Sequence, residues 1–138
     1  MKKIMLFICL FSIVLLSCKK EKPVQVVPGV AGFWKGKYNY YTTGYPDKIM
    51  YVLFRSDSTV RVYQNNADTA LASKANGTFT IKGDSVIANY VFTTYAFNAL
   101  QTLKMVVNPS FTFMEGITGL GSATIPIYSL GPAFLAKQ

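Results

Sequence analysis

From Phe33 onward the apolar residues recur at every second position, and turn residues break the runs every 8 to 15 residues. That period sends successive side chains to opposite faces of an extended chain, so it selects half-buried β-strands and argues against a helical bundle. In the first run Trp34, Gly36, Tyr38 and Tyr40 share one face, with Phe33, Lys35, Lys37 and Asn39 on the other. Lys48 to Arg55 is apolar on both faces, with Ile49, Tyr51 and Leu53 set against Met50, Val52 and Phe54. Thr59 to Gln64 turns Val60 and Val62 inward and Arg61 and Tyr63 outward. Lys74 to Lys82 opposes Ala75, Gly77, Phe79 and Ile81 to Asn76, Thr78 and Thr80. Gly83-Asp84 then reads as a two-residue hairpin turn into Ser85 to Phe92, where Val86, Ala88, Tyr90 and Phe92 align.

Four further extended runs follow: Ala99 to Val107, Phe111 to Thr118, Ala123 to Leu130 and Phe134 to Lys137. Pro126 marks its run as an edge or a bulge, because proline cannot donate to a ladder. Thr69 to Ser73 is ambiguous, since its alanines permit a helical turn too short to stand alone. Eight or nine short strands with hairpin connections must hide their edges. Closing them into a small antiparallel up-and-down β-barrel of about eight strands does so completely; a β-sandwich is the competing solution. The chain is expected to divide into residues 1–17, a tether over 18–30, and one all-β domain over 31–138.

The first division rests on Met1-Lys2-Lys3 and the apolar run Ile4 to Leu16, broken only by Ser12. Such a run is short for a membrane span and suits an export signal. Leu15-Leu16-Ser17-Cys18 resembles the lipobox of bacterial lipoproteins, which implies cleavage before Cys18 and covalent lipid on its sulfur and amino group. The alternative is an ordinary signal peptide with a chance cysteine. Cys9 leaves with the signal, so no pair remains for an intramolecular disulfide. Pro23 to Val30 carries two prolines and a glycine and reads as an extended linker. Anchoring to a membrane, in the bacterial envelope, is the expected location; the absence of Asp after Cys18 leans, by resemblance, toward the outer membrane.

Chemistry is sparse. The 138 residues hold no His, and 4 Asp and 2 Glu leave little for paired-carboxylate work. The Asp residues at 47, 57, 68 and 84 sit in turn sequences without calcium-loop spacing, and no constellation stands ready to activate a Ser or Thr. Neither an enzyme, a metal site nor a cofactor beyond the lipid on Cys18 is expected. Without the signal, 12 basic residues face 6 acids, a net charge of +6. Lys19, Lys20 and Lys22 flank the lipid site, and the rest are scattered, which does not make a nucleic-acid stripe.

At Gly32-Phe33-Trp34 the chain resembles the lipocalin superfamily, and more closely the short lipocalin-like domains of bacterial envelope lipoproteins. The matching residues are Gly32, Trp34 and Gly36, then Gly77-Thr78-Phe79-Thr80 and Gly83-Asp84. The resemblance implies that Trp34 plugs one end of the barrel with a late basic side chain over it, for which only Lys104 or Lys137 is on hand. Gly36 is expected to leave room for another side chain.

An eight-stranded barrel is just wide enough to fill with its own side chains or to hold one small ligand. The bulk of Trp34, Tyr38, Phe79, Tyr90 and Phe113 on the expected inward face argues for filling. The hydroxyls of Tyr38, Tyr40, Tyr51 and Tyr90 argue for a site that binds a small apolar or amphiphilic molecule. Glu115, the one acid on a strand, either contacts a polar ligand group from inside or lies in solvent. The rival reading is a monomeric, packed module that docks an envelope protein or glycan through loop tyrosines such as Tyr41, Tyr45, Tyr63 and Tyr95.

Overall fold

The computed structural model describes residues 29–39, 44–92, 100–121 and 128–138. The expected signal run, Cys18, the expected tether as far as Pro28, and Tyr40, Tyr41, Tyr95 and Pro126 lie outside the described residues. The strands are β1 (Gly32–Tyr38), β2 (Lys48–Phe54), β3 (Thr59–Gln64), β4 (Ser73–Lys82), β5 (Ser85–Phe92), β6 (Leu100–Val107), β7 (Phe113–Leu120) and β8 (Tyr128–Lys137). Each pairs antiparallel with the next, and β1 pairs with β8 from Trp34 opposite Lys137 to Tyr38 opposite Ala133. The sheet is therefore a closed up-and-down barrel and not a sandwich.

Register decides which side chains enter the barrel. Trp34 pairs with Val52 and Val52 with Val62, so Met50, Val52 and Phe54 join the interior and are buried there. That choice puts Ile49, Tyr51 and Leu53 outside, which the two-faced apolar pattern of β2 left open. In β7 the sequence expectation is corrected. Met114 and Thr118 are buried inside, while Phe113 is 38% exposed and Glu115 lies in solvent. The run begins two residues later than its composition suggests, because Phe111 takes a left-handed φ of 54° in the preceding turn. The end of the expected run Ala123–Leu130, from Tyr128, and the whole of Phe134–Lys137 lie in one ten-residue strand, β8; residues 123–127 lie outside the described residues.

Partners followed from Gly32 run through Phe54, Val60, Gly77, Tyr90, Gln101 and Leu120 to Tyr128. The walk leaves one end of the barrel at the start of β1 and arrives at the opposite end at the start of β8. Strands staggered this far are steeply tilted, as closure requires. Tilt and coiling bring neighbouring backbones close at three inward glycines, Gly36, Gly77 and Gly116. A Cβ on Gly36 would stand 1.8 Å from the Phe134 carbonyl oxygen, and one on Gly77 1.9 Å from that of Asn89. The space beside Gly36 is thus filled by backbone, where a side chain was expected.

Connections follow their local chemistry. Lys82 pairs with Ser85 across Gly83-Asp84, and Gly83 takes φ +63° as the first central residue of the hairpin turn. Between β2 and β3, Asp57 accepts bonds from the Thr59 amide at 2.9 Å and hydroxyl at 2.6 Å. These bonds hold its carboxyl below the usual range, so the stability they add is lost as pH falls through that lowered value. Pro132 sits inside β8 without breaking the ladder. Its carbonyl accepts from Asn39 at 2.9 Å, and the return bond it cannot donate falls just past the end of β1.

Gly77→Ala is expected to lower stability by about 2–3 kcal/mol, since backbone and not a movable side chain opposes the new methyl. Urea unfolding followed by circular dichroism checks this; an unchanged midpoint would refute the close approach.

Candidate functional site

The two ends of the barrel differ in chemistry. The β2–β3, β4–β5 and β6–β7 turns, the entry to β1 and the exit from β8 meet at one end, here the floor. The β1–β2, β3–β4, β5–β6 and β7–β8 connections meet at the other, here the mouth.

The floor is closed by residues far apart in sequence. Trp34 is fully buried, and its indole Nε1 donates to the Val30 carbonyl at 2.8 Å. Lys137 lays its ammonium 5.7 Å from the Trp34 ring centre and donates to the Gly29 carbonyl at 2.6 Å. Of the two lysines on hand for this position, Lys137 fills it. A cation over an indole face is favourable, and partial burial strengthens it. Phe111 presses its ring against Gly29, and Val30 is wholly buried, so Gly29 and Val30 already belong to the folded body that was expected over 31–138. Above the plug the interior is apolar: Phe54 and Phe79 meet edge to face at 4.9 Å, with Val60, Val86, Met105, Met114 and Leu135 around them.

Apart from Lys137 over the plug, polar side chains enter the interior only toward the mouth, among the described residues. Tyr38 ends β1 and donates its hydroxyl to Asn65 Oδ1 at 2.9 Å. Tyr90 lies 3.2 Å from Thr118 Oγ1. Thr118 gives its own proton to the Thr102 carbonyl at 3.2 Å, so Tyr90 is the donor of that pair. Gln64 ends β3 and Gln101 opens β6, both buried. Gln64 shares parity with Val60 and Val62, and Gln101 shares it with Leu103 and Met105. That parity was the signal available in the sequence for two residues the tyrosine-centred reading passes over.

The expected site residues thus separate. Tyr38 and Tyr90 stand together in the mouth-side interior, and Gly32, Trp34 and Gly36 serve the floor and its first strand. Tyr40 lies outside the described residues. Tyr51 does not reach the interior: it stacks on Phe33 outside the barrel at 5.6 Å and donates to the Ala67 carbonyl at 3.0 Å. Glu115 is also external. It borders an open groove of about 570 Å³ with Val106, Pro132 and Phe134. A second recess, of about 500 Å³, runs along the rim between Asp47–Ile49 and Asn65–Ala67. Of the tyrosines expected at loops, Tyr45 is 93% exposed, while Tyr63 belongs to the outer face of β3.

Neither a protein-family model nor a curated protein matches the chain. Among solved structures, a mutant of the fluorescent protein UnaG is similar at a TM-score of 0.44 and 7% identity, over 82% of this chain and 99% of that one. Likeness at that level lends nothing to the account of the site, and the barrel stands on its own strand pairing.

The chain has one tryptophan, so its emission reports the floor alone. It is expected to be blue-shifted and shielded from acrylamide. Lys137→Ala should raise quenching and lower the thermal midpoint; Lys137→Arg, which keeps the cation, should change neither by much. Trp34→Phe leaves the Val30 carbonyl unpaired and should cost about 1–3 kcal/mol. Equal quenching in wild type and Lys137→Ala would rule out the lysine as part of the closure.

Proposed function

We propose that the protein is a lipid-anchored, lipocalin-like binding protein of the bacterial envelope that takes a small amphiphilic molecule at the mouth of its barrel. The observation that carries the reading is the segregation inside the barrel. Hydroxyls and amides gather at the mouth, at Tyr38, Gln64, Tyr90, Gln101 and Thr118, over an apolar floor sealed by Trp34. A few oriented polar groups above an apolar wall suit a ligand with one polar end. Val52, Val62, Ala88 and Leu103 are fully buried below that layer, so the site is shallow. Catalysis has no part in this reading. Lys19, Lys20 and Lys22 beside Cys18 support the anchor, since cations next to an acyl chain strengthen attachment to anionic headgroups.

The same complete burial favours a second reading, a packed module that docks an envelope protein or a glycan through its exterior. The two separate in native mass spectrometry of protein extracted from its own membrane. Ligand binding predicts a co-purifying small molecule, lost at least tenfold in a Tyr90→Phe/Gln101→Leu double variant that retains its fold. A ligand-free mass, with no change in Tyr38 or Tyr90 ring resonances across a panel of amphiphiles, favours docking. The anchor has its own test: labelled palmitate should enter the wild type and not Cys18→Ser.

A further inference from the structure

The charge of the barrel exterior is divided unevenly around its circumference. On β1 to β4 the outward positions carry Lys35, Lys37, Arg61, Lys74 and Lys82, and no acid. On β5 to β8 they carry Lys104 and Glu115, which cancel. Half of the wall therefore holds five positive charges and the other half none in net.

The cations on the basic half are interleaved with aromatic rings. Register places Lys35, Tyr51, Tyr63 and Lys74 side by side across four strands, with Phe33, Leu53, Arg61 and Asn76 in the adjacent row. Phe33 stacks on Tyr51 and meets Tyr63 edge to face at 6.4 Å. Lys35 stands 5.8 Å from the Tyr51 ring centre and Arg61 6.0 Å from that of Tyr63. The rings hold the Lys35 and Arg61 stems against the sheet, while Lys74 donates to the Ala70 carbonyl at 3.0 Å.

We propose that this wall of β1–β4 lies against anionic phospholipid headgroups, with the cations on phosphate and the tyrosine and phenylalanine rings at the interfacial level. The inference rests on the anchoring reading, and three observations favour a bilayer over another anionic partner. The charge has the complementary sign, and the same sign as Lys19, Lys20 and Lys22 beside Cys18. The half-buried rings of Phe33 and Tyr63, the latter with an apolar body and a polar tip, suit the headgroup level. Gly29, which packs against the floor, lies eleven residues after Cys18, a span of at most roughly 36–40 Å. That is long enough for the barrel to rest on its side and short enough to keep the wall within reach of the surface. In this pose the mouth opens along the membrane plane.

The test uses the full chain reconstituted in vesicles of phosphatidylethanolamine with or without phosphatidylglycerol. Nitroxide labels are placed at Asn76 on the basic wall and at Ile117 on β7, four strands away from β3, and their relaxation by an aqueous paramagnetic chelate is read. The proposal expects Asn76 to be shielded severalfold in anionic vesicles only, Ile117 to stay accessible, and 0.5 M salt to abolish the difference. Lys35→Glu/Lys74→Glu should abolish shielding, and Lys35→Arg/Lys74→Arg should retain it. Equal accessibility of the two labels on vesicle-bound protein overturns the proposal, as does shielding that appears only when an anionic polysaccharide is added. Failure of the chain to associate with vesicles at all tells against the anchor instead, so the two failures are distinguishable.

Discussion

The pairing of β1 with β8, from Trp34 opposite Lys137 to Tyr38 opposite Ala133, removes the two free edges that an open eight-stranded sheet would present. It joins residues about a hundred positions apart, and the rest of the structure follows from it. The same contact brings Lys137 over Trp34 and within hydrogen-bond distance of the Gly29 carbonyl, so the seam and the floor are one feature. Closure also creates an inside and an outside, and with them the difference between a polar mouth and an apolar floor.

An interior this narrow is demanding. Gly36 and Gly77 leave no volume for even a methyl group, because a neighbouring carbonyl occupies it. Large rings can then be buried whole, as Trp34, Tyr38, Tyr90 and Phe92 are. The functional reading follows from that economy of space. The proposed ligand would meet Tyr38, Gln64 and Gln101 near the ends of the strands, where they are themselves buried, and the exterior remains for larger partners. The exterior is itself divided, basic and aromatic over β1–β4 and neutral and more apolar over β5–β8, where Phe113 stacks on Phe134 at 6.4 Å.

Much of the fold was legible in the chain. Strict alternation in β1, β3, β4 and β5 assigned their inward and outward residues, and Gly83-Asp84 marked its hairpin. The errors have a common cause. Where a strand is apolar on both faces, as in β2, or carries aromatic and aliphatic residues at both parities, as in β7, local pattern cannot choose a side. Tyr51, Phe113 and Glu115 were placed or left open on that basis. Glutamines at the ends of β3 and β6 escaped notice because a polar residue beside a turn ordinarily signals solvent.

The sequence by itself determined that the chain is all-β, that its runs are short and hairpin-linked, and which residues of the well-alternating strands face inward. These depend on neighbours two positions away and on turns of two to four residues, information that is local by nature. Only the tertiary structure decided that the sheet closes, that Lys137 and not Lys104 covers Trp34, that Tyr51 and Glu115 lie outside, and that five cations share one wall. Each of those depends on cross-strand register, which is set by the whole circumference closing on itself, a condition that no single strand carries.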